Sequence, residues 1–465
     1  MQGKLSKAAV NVAQAFDIDH HVGQKGGLPT QLPVPQNAHP WGDSNATVKI
    51  CRDKLQRPQA RRGGKCRILL TLPAVVDIVR STLAGQMRVN LSLVDLLLGH
   101  ASKARIHNKV AALMKLGVIL PNWIGDAAMA TPALRALSEQ FGSSATIVGI
   151  MRPYVSEVLE GSPWLQERIF YNPKTNGKNQ TSWSLIRRLR QMKLDAMVLL
   201  TNSLRTGAIA WLSGARERIG YARNGRGVLL TDGLKPLRTG RAYTPVSAVD
   251  YYLELARAMG CQPVARTLEL STTGENERAA DRAWKNLGLP DNAKVVAICP
   301  AGAFGAAKHW PTEQFAELGR RIAEAEDCHV VVMCGPAERN TANQIASLAA
   351  DRRVVSLAQQ SLSIGLTKAC IRRAQLVITT DSGPRHLAAG FQIPTVALFG
   401  STDPRWSINY NPCEIRLHED LPCAPCAKRI CPLKHHHCMR DLAVTRVLGA
   451  GQQLLHPSGG SSQAA

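Results

Sequence analysis

Leu376-Val377-Ile378-Thr379-Thr380-Asp381-Ser382-Gly383-Pro384-Arg385-His386-Leu387-Ala388-Ala389 is the stretch that decides the fold. Its first five residues read as a strand buried on both faces. The rest reads as a helix start: Pro384 suits the first helical turn, Asp381 or Ser382 can cap, and Gly383 lets backbone amides approach a ligand. A strand that delivers a turn at a helix N-terminus makes a phosphate cradle. A second strand, Thr395 to Phe399, then runs into Gly400-Ser401-Thr402-Asp403. Taken alone, the same residues also suit a capped helix with no ligand, so the wider chain has to decide.

Working outward, the alternation of strand and helix continues in both directions. Gly117 to Leu120 is a short apolar strand, Pro121 to Asp126 a turn, and Ala127 to Phe141 a helix with Met129, Leu134 and Leu137 on one face. Ala145–Ile150 and Ala196–Leu200 supply further strands, with a basic helix over Ser182–Gln191. After Pro290 the pattern restarts with a strand at Lys294–Cys299, a glycine-rich turn and a helix over Thr312–Glu326. His329–Cys334, Arg353–Leu357, Leu376–Thr380 and Thr395–Phe399 follow as strands, and a closing helix spans Leu442–Leu455. This predicts an α/β protein with two facing doubly wound domains, at 115–288 and 289–455, and a cleft at the carboxyl ends of both sheets. Residues 456–465 read as a disordered tail.

Residues 1–114 are different in kind. The first 110 contain no Glu and carry +10 of the chain's net charge of +23, with Gly/Pro-rich runs between Gly23 and Pro40. They read as a basic, poorly ordered extension to which no function is assigned. Asp17-Ile18-Asp19 has the look of a metal-binding Asp-x-Asp, but it lies in that extension and receives no role. No apolar run is long enough to span a bilayer, and no signal peptide is evident, so a cytoplasmic location is expected. Most of the twelve cysteines are scattered, several in strand-like runs, as reduced thiols would be. The charge calls for an anionic partner.

Four turns converge on the cleft in this architecture. Asp126 follows the first strand, where a carboxylate either caps a helix or acts as general base on a substrate hydroxyl. Lys308, in the small-residue loop Pro300–Pro311, is a mobile point charge suited to a diphosphate, although the spacing is not that of a P-loop. Glu338 follows the Met333-Cys334-Gly335 strand end and either accepts from ribose hydroxyls or stabilises its own turn. The Asp381-Ser382-Gly383 turn completes the set. A nucleotide diphosphate carrying a polyhydroxylated group fits all four. Cys423, Cys426, Cys431 and Cys438, spaced C-x₂-C-x₄-C-x₆-C with His435–His437 among them, match no standard zinc finger and read as a loop near the cleft ahead of a metal site.

Pro121-Asn122-Trp123-Ile124-Gly125-Asp126-Ala127, Thr131-Pro132-Ala133-Leu134-Arg135, Lys308-His309-Trp310-Pro311, and Asp381-Ser382-Gly383-Pro384 through Phe399-Gly400-Ser401-Thr402-Asp403-Pro404, in that order, resemble the bacterial lipopolysaccharide heptosyltransferases, glycosyltransferase family 9. The resemblance covers about residues 115–455. It implies a GT-B fold of two Rossmann-like domains, the first for acceptor and the second for donor. It also implies an inverting transfer of L-glycero-D-manno-heptose from ADP-heptose to the heptosyl-Kdo-lipid A core, without a metal ion or other cofactor. Carried onto this chain, Asp126 is the base and Lys308 holds donor phosphate. Asp381 holds heptose hydroxyls, and Ser382, Gly383 and His386 present amides to the diphosphate. Glu338 and Thr402 complete the donor site. An anionic acceptor also calls for a basic face on the first domain, for which Arg218 and above all Arg205, after the strand end at Thr201-Asn202-Ser203, are candidates. Arg385 departs from the apolar residue expected in that turn and reads as an extra cation beside the diphosphate. The expected partners are ADP-heptose, the lipopolysaccharide core and the inner-membrane surface, with the chain a monomer. A family 9 enzyme with another nucleotide-sugar donor is the first alternative. A basic, zinc-dependent nucleic-acid module is the remote one, and no nucleic acid is expected.

Overall fold

The computed structural model of the protein describes residues 114–457, apart from 174–180, 263–264, 301 and 303. The expected extension and tail lie outside the described residues except for Met114, His456 and Pro457. The first half builds β1 (Met114–Ile119), α1 (Ile124–Met129), α2 (Thr131–Phe141), β2 (Ala145–Met151), α3 (Pro153–Val158), β3 (Glu167–Phe170), α4 (Ser182–Met192), β4 (Ala196–Leu199), α5 (Leu204–Leu212), β5 (Glu217–Tyr221) and β6 (Asp232–Leu234). A two-stranded hairpin, β7 (Arg238–Thr239) with β8 (Ala242–Tyr243), leads to α6 (Ala248–Ala258) and α7 (Gly274–Asn286). The second half runs β9 (Val295–Cys299), α8 (Thr312–Glu326), β10 (His329–Val332), α9 (Arg339–Ala349), β11 (Val354–Ser356), α10 (Ile364–Arg373), β12 (Leu376–Thr380), α11 (Gly383–Gly390), β13 (Thr395–Leu398), β14 (Glu414–Leu417), α12 (His437–Arg440) and α13 (Val444–Leu455).

Each half forms a six-stranded parallel sheet with the same winding, β3-β2-β1-β4-β5-β6 and β11-β10-β9-β12-β13-β14. The strand order reverses between β1 and β4 and again between β9 and β12, and ligands bind outside the carboxyl ends of strands at such points. The central strands β9 and β12 of the second sheet are buried along their whole length because helices cover both faces. The single helix expected over Ala127–Phe141 is two: α1 ends at Met129 and α2 begins at Thr131, with Pro132 in its first turn. Proline lacks the N–H needed to continue the ladder, so the break falls before it.

The halves are joined by specific bonds as well as by a shared apolar cluster that includes Leu134, Leu253, Ala297, Val377 and Leu387. The fully buried Lys368 ammonium on α10 donates to the carbonyls of Val158 (3.2 Å), Glu160 (3.0 Å) and Ser271 (2.7 Å). Glu157 accepts from the Ile364 amide at the start of the same helix (3.0 Å). Ser247 caps α6 and also donates to the Ile408 carbonyl (2.6 Å), and the Tyr410 hydroxyl donates to Asp250. These contacts fix how the two strand ends face one another.

Candidate functional site

The sharpest contact in the cleft is between α1 and α11, which start at the reversal points of the two sheets. A Cβ on Gly125 would lie 2.6 Å from His386 Cδ2, and one on Gly383 would lie 3.2 Å from Ile124 Cγ2. The two glycines therefore let the helix starts touch each other. Gly125→Ala should push the helix starts apart and lower turnover several-fold while leaving the fold intact, as measured by kcat beside a thermal melt, since overpacking costs about 1–3 kcal/mol.

Neither helix carries a side-chain cap. Trp123 holds the N-cap position of α1, so Asp126 is a first-turn carboxylate and not the cap. Ser382 holds the N-cap position of α11, yet its hydroxyl lies 3.2 Å from that of Thr379 instead of on a helix amide. Cap preferences favour Asp381 or Ser382 as a side-chain cap, and neither is one. The first-turn amides of α11 are thus left to another acceptor, as an anion site requires. Buried polar atoms without partners gather at the same strand ends: Thr380 Oγ1 at the last residue of β12, Ser401 Oγ after β13 and His386 Nδ1 in α11.

Asp381 is the hub on the second half. Its Oδ2 accepts from Lys308 Nζ (2.6 Å) and Thr402 Oγ1 (2.7 Å), and its Oδ1 accepts from Ser407 Oγ (3.2 Å) and Arg385 Nη1 (3.3 Å). Lys308 also donates to the Asp381 carbonyl (2.8 Å) and sits 4.7 Å from the Phe304 ring. Burial works against ionising this carboxyl, but Lys308 and Arg385 outweigh it and hold Asp381 well below the usual carboxylate range. A carboxylate has about four lone-pair sites, and all four are occupied here. A sugar hydroxyl would have to displace one of these donors.

Arg385 does not face the cleft as a cation for diphosphate. It is fully buried and makes a fork to Glu414 on β14, Nε to Oε2 at 2.9 Å and Nη2 to Oε1 at 2.7 Å, and it holds the Ser407 carbonyl (2.8 Å) and hydroxyl (3.0 Å). Arginine fits this interior site because its planar fork matches a carboxylate. His386 is buried and pushed down to about 3, first by burial and then by Arg385, so its imidazole is neutral.

Across the cleft, Asp126 is pushed up to about 6. Burial is the main cause, the negative Asp381 adds to it, and Lys308 pulls the other way. That interplay brings together Asp126, Lys308 and Asp381, from two sheets and three strand ends. A carboxyl titrating near 6 is poised to take a proton at neutral pH.

The remaining expected residues lie apart or are otherwise engaged. Glu338 Oε2 accepts from the Gly335 amide (2.8 Å), bracing its own turn after β10. Arg205 stands two residues beyond the Ser203 cap of α5, half-buried. The Arg218 guanidinium is held by the carbonyls of Ala215 (2.6 Å) and Leu229 (2.8 Å), and that geometry offers no support for an acceptor role. Arg226 is fully buried and donates to the Tyr221 and Thr201 carbonyls and to Asn202 Oδ1, so its guanidinium is spent inside the first half. Cys423 Sγ lies 3.9 Å from His435 Nε2, and among the described residues no group of three or more His, Cys, Asp or Glu is set to hold a metal ion.

The sequence profile of glycosyltransferase family 9 (heptosyltransferase) matches residues 182–437. The chain is 26% identical over 350 residues to lipooligosaccharide heptosyltransferase 2 of Campylobacter jejuni, an alignment covering 74% of this chain and 99% of that protein. It is similar in structure to E. coli ADP-heptose LPS heptosyltransferase II, with a TM-score of 0.61 and 23% identity over 75% of this chain and 100% of that one. An E. coli heptosyltransferase solved with ADP-2-deoxy-2-fluoro heptose gives a TM-score of 0.53 at 17% identity, covering 74% of this chain and 100% of that one. These likenesses establish the GT-B architecture of two facing doubly wound domains.

Proposed function

The chain belongs to glycosyltransferase family 9, the heptosyltransferases, and from this we propose that it transfers L-glycero-D-manno-heptose from ADP-heptose to the heptosyl-Kdo-lipid A inner core of lipopolysaccharide. The observation that carries the reading is the placement of Asp126, pushed up to about 6 mainly by burial, after the first strand of one sheet and opposite the Lys308–Asp381 pair at the strand ends of the other. Asp126 takes the proton of the acceptor hydroxyl as its oxygen bonds to the anomeric carbon. The bond from that carbon to the diphosphate oxygen breaks with inversion, and the electron pair leaves on ADP. Lys308 and the uncapped amides of α11, at Ser382, Gly383 and His386, stabilise the charge gathering on the diphosphate. This assignment needs no metal ion.

Asp381 then serves chiefly to hold Lys308 and Thr402 in place, with heptose hydroxyls entering by exchange with one of its present donors. Glu338 keeps one carboxylate oxygen for ribose, since only Oε2 is engaged. Arg205 faces the anionic acceptor from the first half. Among the described residues no helix is long and apolar enough to cross a membrane, and we place the enzyme as a monomer on the cytoplasmic face of the inner membrane, where a lipid-anchored acceptor resides. A basic nucleic-acid module would leave the convergence of Asp126, Lys308 and Asp381 without a purpose.

The test is transfer from ADP-heptose to a truncated, heptosylated lipid A core, following ADP release and acceptor mass together. The expected result is a gain of one heptose per ADP released. Release of ADP without a mass gain points to the wrong acceptor. Neither signal from ADP-heptose, with transfer from another nucleotide-sugar, overturns the donor assignment.

A further inference from the structure

The outer face of the first sheet, away from the cleft contacts with the second half, is covered by α4 and α5. Leu185, Ile186 and Leu189 of α4 and Ile209 and Ala210 of α5 pack inward with Val148, Ile150, Met197 and Leu199. What the two helices present outward is unusual. Trp183 is 61% exposed and Trp211 54% exposed, where a large aromatic is normally covered. Arg187, Arg188 and Arg190 are exposed on α4, and neither helix contains an acidic residue. Trp183, Arg187, Arg190 and Gln191 line one groove, the spacing of a single helical face. Arg190 Nε donates to the Leu212 carbonyl (2.6 Å), which ties the end of α4 to the turn of α5 that carries Trp211.

We propose that the α4–α5 face, through Trp183, Trp211, Arg187 and Arg188, docks the protein on an anionic phospholipid bilayer. Tryptophan combines an apolar ring with an N–H donor and favours the headgroup level of a bilayer, where one side is wet and the other apolar. Arginines beside it meet lipid phosphates, and the absence of carboxylates from both helices removes the repulsion such a surface would otherwise meet. A folded protein partner would be expected to find mixed charge, and this face offers one sign only. The inference rests on the reading above that the acceptor is lipid-anchored: the half that carries this face also carries Asp126, so docking would hold the base over the membrane that supplies the acceptor.

The experiment is co-sedimentation of the full chain with phosphatidylcholine vesicles, with and without phosphatidylglycerol. Two patch variants are compared, Trp183→Ser/Trp211→Ser and Arg187→Gln/Arg188→Gln. A control, Arg278→Gln/Arg282→Gln, removes the same charge from the exposed side of α7. The wild type should sediment with the anionic vesicles. The Arg187→Gln/Arg188→Gln variant should partition about tenfold or more weakly, because each basic residue near an anionic surface adds to binding, the Trp183→Ser/Trp211→Ser variant should lose about tenfold with its interfacial rings, and the control should bind like the wild type. All four proteins should transfer heptose equally to a deacylated, soluble acceptor, and that readout also reports folding. Equal binding by patch variants and wild type, equal loss in the control, or no binding by the wild type overturns the proposal. Loss of transfer to the soluble acceptor by the wild type, with vesicle binding intact, instead counts against the heptosyltransferase reading and leaves the surface assigned.

Discussion

Asp126→Asn should slow heptose transfer by about 10²- to 10⁴-fold, the usual worth of a positioned general base, and should at the same time make the protein more stable above pH 6. The first half follows from chemistry: asparagine has nearly the same shape but cannot accept the acceptor proton. The second half follows from the direction of the shift, from 3.8 to about 6 in the folded protein, caused mainly by burial. A carboxyl with a raised folded-state value binds its proton more tightly in the native state than in the unfolded chain. Stability therefore falls as pH rises from about 4 to about 6, while unfolded Asp126 is ionised and the folded group still holds its proton. Above that window the deficit persists in full. Asparagine, which has no charge to bury, escapes it. Urea melts of both proteins at pH 4 and pH 8 should coincide at the lower pH and separate at the higher one, with the Asn variant ahead. The wild-type kcat/KM should rise with pH through an apparent value near 6 and lose that limb in the variant. Equal stability at pH 8 would mean that ionising Asp126 costs the folded protein nothing, and a fully active Asn variant would remove the base assignment.

The outline of this fold is legible in the sequence wherever burial is two-sided or periodic. Leu376–Thr380 and Thr312–Glu326 occupy the positions expected, because an unbroken apolar run and a 3.6-residue rhythm each leave a clear local trace. β14, Glu-Ile-Arg-Leu, carries no such trace, because an edge strand is covered on fewer sides and alternates with charge. The positions of Asp126, Lys308 and Asp381 after strand ends follow from the topology alone. The partners of these residues do not follow. Gly125 is small because His386 lies against it, and those two residues come from opposite halves of the chain. Arg385 reads as a cleft cation when only its neighbours in sequence are considered, while the geometry turns it inward to a glutamate on an edge strand. Local pattern gives the backbone; the direction of a long side chain is set by distant residues.

Arg385→Met should destabilise the protein by about 3–5 kcal/mol, whereas Arg385→Met/Glu414→Met should recover most or all of that loss. The asymmetry is the physics of a buried ion pair: removing one partner strands the other charge, and replacing both with apolar groups of similar size removes the desolvation cost as well. Glu414 is nearly inaccessible, with its side chain 3% exposed, and it would keep only Asn409 Nδ2 (3.0 Å) and Arg416 Nε (3.3 Å) as donors in the single variant. Urea midpoints at constant m would measure both changes. The same pair of variants separates stability from donor chemistry. Both lack the Arg385 bond to Asp381, but in both Lys308, Thr402 and Ser407 still hold that carboxylate. If Arg385 serves the fold alone, the double variant regains the wild-type KM for donor along with its stability. If Arg385 also orients Asp381 toward Lys308, the double variant is stable with a raised donor KM and an unchanged kcat. A single variant as stable as the wild type would mean that Glu414 finds other partners or its proton, and the fork between Arg385 and Glu414 would not then be what secures the edge strand beside the donor site.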